Sequence, residues 1–224
     1  MKKTILTSLC LILFAFTIYS QGQSSIDIAT EKLLMSSDVS QPVDALGSPY
    51  VDEKFSPVKV KGYDNVVYTA RFNAYNGEME VNLGTKIIAL DKNLDYQVMF
   101  TQNNKIYRTF KFSTPSGVAK SGFLNVVNET PSFALLKEEI IKYYDKVPAA
   151  TSYQQDKPAK FSKEDSNFYI KKGNVIRPFP TRKKDLLKAY PKNAKKIKAF
   201  LKEKRVSLKK EKDLITVATF LAQL

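Results

Sequence analysis

Between residues 57 and 145 apolar and polar side chains alternate with a period of two. Tyr68, Ala70, Phe72 and Ala74 take turns with Thr69, Arg71, Asn73 and Tyr75, and after Asn76-Gly77 the pattern resumes with Met79 and Val81 between Glu78, Glu80 and Asn82. Such alternation sends one set of side chains to a buried face and the other to water. Asn-Gly tolerates positive φ at both central positions of a two-residue hairpin, so a hairpin of that kind is expected there. The pattern predicts strands over 58–63, 66–75, 78–82, 85–90, 96–102, 105–113 and 122–128, with a second hairpin at Asn103-Asn104. The breaks fall at Gly84, Asp91-Lys92-Asn93 and Thr114-Pro115-Ser116-Gly117. Connections this short favour antiparallel neighbours, because a parallel crossover needs about a dozen residues or more.

Residues 133–144 fit two periods. Phe133, Leu136, Ile140 and Tyr143 are spaced as on a helix, whereas Leu135, Ile141 and Tyr143, with Lys137 and Glu139, suit a twisted strand. Their place after Glu129-Thr130-Pro131, inside a meander, favours strand. Pro148, Ala149-Ala150, Gln154-Gln155 and Pro158 mark 147–160 as a connector, and Lys172-Gly173-Asn174 predicts a hairpin joining strands at 167–171 and 175–179. Pro178 has no amide donor, which places the second of these at a sheet edge. From Thr181 the period becomes helical. Helices are expected over 183–190 capped by Thr181, over 192–205 begun by Pro191, and over 209–221 capped by Ser207. Apolar stripes at Ile197, Phe200 and Leu201, and at Leu214, Ile215, Val217, Ala218 and Leu221, require a surface to pack against. The fold class expected is α+β: an antiparallel body of hairpins over 47–180, as a curved sheet or sandwich, followed by a basic helical segment over 181–224 packed on or beside it.

The first twenty residues form a separate unit. Met1-Lys2-Lys3 precedes an apolar run over 5–19, and Ser20 stands before Gln21; this is the pattern of a secretory signal peptide. A retained anchor needs about 20 apolar residues and a positive flank, and Gln21-Gly22-Gln23-Ser24-Ser25 offers no such flank. Cys10 lies inside the apolar run after Leu9, which excludes a lipoprotein signal. The location expected is therefore exported: periplasm, cell envelope or extracellular. Cleavage removes the one cysteine, leaving a mature chain of 34 basic and 22 acidic residues with no histidine, tryptophan or thiol. A secreted chain without disulfides relies on its core, and this length and a 43% hydrophobic composition allow one. Residues 21–46 read as a flexible leader. Ile26, Ile28, Leu33 and Leu34 predict one short helix over 25–35, and a linker runs from Ser36 to Pro42.

Four stretches share a further likeness: Gly47-Ser48-Pro49-Tyr50, Arg71-Phe72-Asn73-Ala74-Tyr75-Asn76-Gly77-Glu78, Asn167-Phe168-Tyr169-Ile170-Lys171-Lys172-Gly173, and the lysine-rich end through Leu186-Leu187, Tyr190-Pro191, Phe200-Leu201 and Leu208 to Ile215. Together they resemble a group of uncharacterised exported proteins typical of the Bacteroidota. The resemblance covers nearly all of the mature chain. It implies a cell-envelope or secreted protein with a β-rich body and a basic helical tail, and it brings no catalytic residue and no ligand.

The residue types present exclude several chemistries. Without histidine, neither a Ser-His-Asp nor a Cys-His nucleophile system can be assembled, and common zinc sites lack their ligands. No glycine-rich phosphate loop is present, and no cofactor is expected. Ser207-Leu208-Lys209-Lys210 matches Ser-x-x-Lys, but in a lysine-rich tail it reads better as a helix cap. Asp91, Asn93 and Asp95 resemble the start of a calcium loop, yet Tyr96 holds the glycine position and Gln102 the distal glutamate position, so a turn is expected. The sequon Asn128-Glu129-Thr130 carries no weight in a bacterial-looking chain. Paired carboxylates could serve glycoside hydrolysis. Glu78 with Glu80, Glu138 with Glu139, and Glu164 with Asp165 show no facing partner in the sequence, so they are read as solvated charges.

Residues 181–213 carry fourteen Lys/Arg and four Asp/Glu. A local positive field of that kind attracts anionic partners. The candidate contacts are Arg182, Lys183, Lys184, Lys195, Lys196, Lys198, Lys202, Lys209 and Lys210, facing an anionic lipid, lipopolysaccharide or an acidic envelope protein; export disfavours nucleic acid. The plain alternative is that these side chains solvate the outer faces of packed helices. The leading expectation is thus a non-enzymatic exported binding or structural protein. A carrier of an apolar ligand or lipid, with a cavity lined by Phe72, Tyr96, Phe100, Phe110 and Phe112, is second. A hydrolase using carboxylates alone is third.

Overall fold

The computed structural model describes Met35–Ser36 and residues 44–224 apart from Asp64, Thr85 and Ser152. The expected signal peptide, and the leader helix apart from its last residue, lie outside the described residues. Leu34–Leu224 forms one compact unit.

Its strands are β1 (Met35–Ser36), β2 (Ser56–Val60), β3 (Tyr68–Asn73), β4 (Glu78–Asn82), β5 (Ile87–Leu90), β6 (Gln97–Phe100), β7 (Lys105–Ser113), β8 (Ala119–Thr130), β9 (Phe133–Glu138), β10 (Ile141–Tyr144), β11 (Lys160–Lys163), β12 (Asn167–Lys172) and β13 (Val175–Pro178). Eleven of them make one antiparallel sheet in the order β1-β5-β4-β3-β2-β6-β7-β8-β9-β12-β13, while β10 and β11 pair separately. The ambiguous stretch at 133–144 is strand, broken into β9 and β10. β1 arises where the sequence predicts the end of a helix and the start of a linker, with Met35 opposite Leu90 and Ser36 opposite Ala89. β13 is at the edge, as the missing donor of Pro178 requires.

The sheet is a curled half-barrel, mostly antiparallel, with a few short C-terminal helices. Phe72 on β3 and Tyr107 on β7 are three ladder steps apart, about 14 Å along a flat sheet, yet their ring centroids are 4.7 Å apart. Phe112 on β7 and Tyr169 on β12 are likewise three steps apart with centroids at 5.0 Å. Following the register from strand to strand puts the first pair on one face and the second on the other. The sheet therefore wraps around Tyr107 in its first half and around Tyr169 in its second.

The turn at Asn76-Gly77 differs from the sequence expectation. Asn73 pairs with Glu78, so the loop has four residues rather than two, and Gly77 has positive φ whereas Asn76 does not. The reason is side-chain capping: Asn73 Oδ1 accepts the Asn76 amide at 3.1 Å, while the Ala74 and Tyr75 amides both donate to the Pro49 carbonyl. The Asn103-Asn104 hairpin forms with a similar loop, Phe100 opposite Lys105 and Asn104 at φ 56°. Gly47 starts the segment that covers this end of the sheet. Its φ is +79° and an added Cβ would lie 2.8 Å from the Phe161 carbonyl oxygen, so only glycine fits there unstrained.

The helical segment comprises α1 (Lys183–Ala189), a 3₁₀ turn at Pro191–Asn193, α2 (Ala194–Glu203) and α3 (Glu211–Ala222). The predicted side-chain caps are not used: the residues flanking the starts are Arg182, Asn193 and Lys210, none with a capping side-chain bond. Asp213, in the first turn of α3, instead accepts the Ser207 amide at 2.8 Å. What holds the helices is burial. Leu186, Ile197, Leu201, Leu214, Val217, Ala218 and Leu221 share one core with Phe133, Leu135, Ile170 and Phe179 of the sheet region. Phe200 stacks on Phe220 with centroids 4.0 Å apart. Asn128 Nδ2 donates to Thr219 Oγ1 at 3.1 Å and Lys137 Nζ to Glu211 Oε2 at 2.6 Å, which sets α3 on the sheet.

Candidate functional site

Three of the carboxylates read from sequence as solvated are buried. Glu80 is fully enclosed because residues 46–55 fold over its face of β4. Arg71 Nε donates to Glu80 Oε2 at 2.9 Å, Asn73 Nδ2 to Oε1 at 3.1 Å and the Tyr50 hydroxyl to Oε1 at 3.2 Å. The Arg71 guanidinium lies 3.7 Å from the Tyr50 ring centroid and 4.4 Å from that of Phe55. These bonds tie the covering segment to β3 and β4.

Glu138 and Glu139 are neighbours at the end of β9, each 6% exposed. As strand geometry requires, they serve opposite sides. Glu138 accepts from Tyr169 at 2.6 Å, Asn167 at 3.0 Å and Lys120 at 2.6 Å. Glu139 accepts from Lys105 at 2.9 Å and from the Tyr107 hydroxyl. Each carboxylate thus latches the tyrosine about which one half of the sheet wraps. Between the β3–β4 turn and the β7–β8 turn these two groups line a cleft of about 390 Å³ together with Phe72, Phe112, Phe123 and Lys120.

Burial acts to raise both carboxyls, but their partners outweigh it. For Glu138 the hydrogen bonds from Asn167, Lys120 and Tyr169, with the Lys120 charge, bring it below the ordinary 4.5. For Glu139 the Lys105 charge and hydrogen bond, the Tyr107 hydroxyl and the Lys137 charge do the same. Burial, then the Glu139 charge and hydrogen bond, push Tyr107 well above 10.0. An acid/base pair needs one carboxyl held up to donate while the other stays ionised. Here both are held down.

These shifts set a pH dependence. A carboxyl depressed in the folded state leaves the unfolded chain binding more protons, so stability present above about pH 4.5 falls as pH drops below it. A phenol raised in the folded state contributes stability up to about pH 10 that is lost as pH rises further. Denaturation midpoints measured from pH 3 to 11 are expected to decline at both ends, with the acid decline flatter in Glu139→Gln and the alkaline decline flatter in Tyr107→Phe. Parallel curves for wild type and variants would show that the latches do not titrate with folding.

The five aromatic residues expected to line an apolar cavity do not come together. Phe72 and Phe100 pack on Tyr107, with centroids at 4.7 and 5.7 Å, and Tyr96 is buried as the chain enters β6. Phe110 and Phe112 project from the opposite face of β7, beside Tyr169. The five are divided between two faces of the sheet, and Phe72 and Phe100 also line a groove of about 170 Å³ beside Arg71 and Tyr107. The calcium-like triplet is a turn, with Asp91 Oδ1 accepting from the Asn93 amide at 2.9 Å and from its side chain at 3.0 Å. In Ser-x-x-Lys, Ser207 and Lys210 are joined through the backbone, the Lys210 amide donating to the Ser207 carbonyl at 3.2 Å.

The nine predicted cations, Arg182, Lys183, Lys184, Lys195, Lys196, Lys198, Lys202, Lys209 and Lys210, are all exposed. On α2, Lys195, Lys198 and Lys202 recur at i, i+3 and i+7, along the side away from buried Ile197 and Leu201. Of the four acids among residues 181–213, Glu211 pairs with Lys137, Glu203 with Lys204 and Asp213 with the Ser207 amide, while Asp185 is exposed in the first turn of α1. Among the described residues none of the nine enters an ion pair. A second feature, missed in the sequence because it forms only where α1 lies against the hairpin, is a groove of about 320 Å³ between the β12–β13 hairpin and the end of α1. Compared with family models, curated proteins and solved structures, the chain matches none.

Proposed function

We propose that this is a non-enzymatic, exported cell-envelope protein of binding or structural type whose cationic helical surface contacts an anionic partner, a lipid surface first among them, with lipopolysaccharide or an acidic envelope protein as the alternatives. The observation that carries the reading is the set of nine exposed cations, none neutralised by a carboxylate, on helices whose apolar sides are buried. Packing alone accounts for polar residues on those outer faces but not for fourteen Lys/Arg against four Asp/Glu over residues 181–213. Such a surface concentrates anions over about 10 Å at 0.1 M salt. The amino-terminal pattern supports export, and among the described residues no helix is long and apolar enough to cross a membrane. The division of the five aromatic residues between two faces weighs against the apolar-carrier reading in its original place, and the paired low-titrating carboxylates against the hydrolase.

The test is co-sedimentation of residues 21–224 with vesicles containing phosphatidylglycerol, at low and high salt. The chain is expected to sediment at low salt and to be released by high salt. A variant with Lys183, Lys184, Lys195, Lys196, Lys198 and Lys202 all changed to Gln is expected to stay in solution. Equal sedimentation of wild type and variant would overturn the reading.

A further inference from the structure

Resting on that reading of the helical surface, we infer that the groove beside α1 takes one acyl chain of an anionic phospholipid, with the headgroup phosphate held by Arg177 and Lys172. The hairpin register places Lys172 opposite Val175 and Ile170 opposite Arg177, so these four side chains share one face. Ile170, Val175 and Pro178 give the groove an apolar floor, and Tyr190, which follows α1, forms its far wall. Val175 is 53% exposed at the mouth, an apolar position that the described residues leave uncovered.

The charge around the groove selects the occupant. Its lining includes Lys172 and Arg177 and no acidic residue, and among the described residues neither cation enters an ion pair. Arg177 stands close enough to the Tyr190 phenol for its charge to oppose the effect of burial there. The end of a helix carries partial negative charge, which Lys188 in the last turn of α1 offsets. A guanidinium and an ammonium at the lip of an apolar slot suit a phosphate on a hydrocarbon chain. A peptide strand added along β13 is the less favourable occupant, since Pro178 removes one ladder donor from that edge. The groove also lies next to α1 and its cations Lys183 and Lys184, so a lipid drawn to the helical surface arrives beside it.

The experiment uses residues 21–224 and titrates lysophosphatidylglycerol below its micelle concentration, followed by tyrosine fluorescence and by calorimetry, with glycerol 3-phosphate as the head-only probe. Saturable binding of the lipid is expected, with none of glycerol 3-phosphate. Val175→Asp, which places a carboxylate in the exposed mouth, and Arg177→Gln are each expected to weaken binding by about tenfold or more. Both positions are exposed, and an unchanged denaturation midpoint verifies the fold. The variant with helical lysines changed to Gln is expected to keep monomer binding while losing vesicle binding. Absence of monomer binding, or binding untouched by Val175→Asp, overturns the groove even where vesicle binding stands. Monomer binding without vesicle binding upholds the groove and overturns the helical surface.

Discussion

Arg71→Met is expected to lower the unfolding free energy by about 3 kcal/mol, the lower end of the range for removing one partner of a buried ion pair. Glu80 is completely enclosed, whereas Arg71 keeps 20% of its side chain exposed. Removing the guanidinium therefore leaves a carboxylate in a dry site with only Asn73 and Tyr50 as donors. It also removes the flat group on which Tyr50 and Phe55 stack, loosening the segment that covers β3 and β4. Urea denaturation of Arg71→Met, Glu80→Gln and the double variant measures the coupling. Glu80→Gln retains an acceptor for Asn73 and Tyr50 while cancelling the charge. The double variant should recover at least about 1 kcal/mol relative to the sum of the single effects. Additivity within about 0.5 kcal/mol would show that the two groups do not depend on one another.

Leu214→Ala should cost about 3 kcal/mol, the usual cost of emptying a fully buried leucine site. Leu214 is at 0% exposure in the core that α3 shares with β9 and β12. The void cannot be filled by a small shift of α3, because Asn128–Thr219 and Lys137–Glu211 fix the helix on the sheet. The effect should spread to β9 and β12: amide exchange at Leu135 and Ile170 should quicken along with that of α3, since one core serves both. Thr216→Ala, on the exposed side of α3, is the control and should change stability by no more than about 0.5 kcal/mol. A Leu214→Ala variant as stable as wild type would mean that the helices are an appendage.

Much of the body was legible residue by residue. The strand at 105–113 coincides with β7, and Glu78–Asn82, where Met79 and Val81 alternate with polar residues, with β4. Pro178 marked the edge because a missing donor is a property of the residue alone. The strand β11 went unread: Lys160–Lys163 has one apolar residue, Phe161, and pairs with β10 only through contacts set elsewhere. The two-residue Asn-Gly turn gave way because Asn73 and the Pro49 carbonyl satisfy its amides in another arrangement.

The candidate sites divide in the same way. The exposed cations of α1 and α2 could be named in advance, because an amphipathic helix leaves its charged residues outside whatever it packs on. The buried carboxylates could not. Glu80, Glu138 and Glu139 read as ordinary polar positions of alternating strands, and only the covering segment and the curl of the sheet bring Arg71, Lys105, Lys120, Tyr107 and Tyr169 to them. The groove beside α1 is of this kind too, since Val175 and Tyr190 meet only when the helix lies against the hairpin.

By itself, then, the sequence determined what depends on local periodicity and residue chemistry: antiparallel strands, three amphipathic helices with cations outward, and the absence of histidine. Tertiary structure alone decided which acidic groups are buried, which aromatic rings pack together, and where an apolar surface stays open. The physical reason is that burial is a property of what lies on the other side. A period of two assigns a side chain to a face, but the neighbours across a curled sheet decide whether that face is water, a ring or a charge.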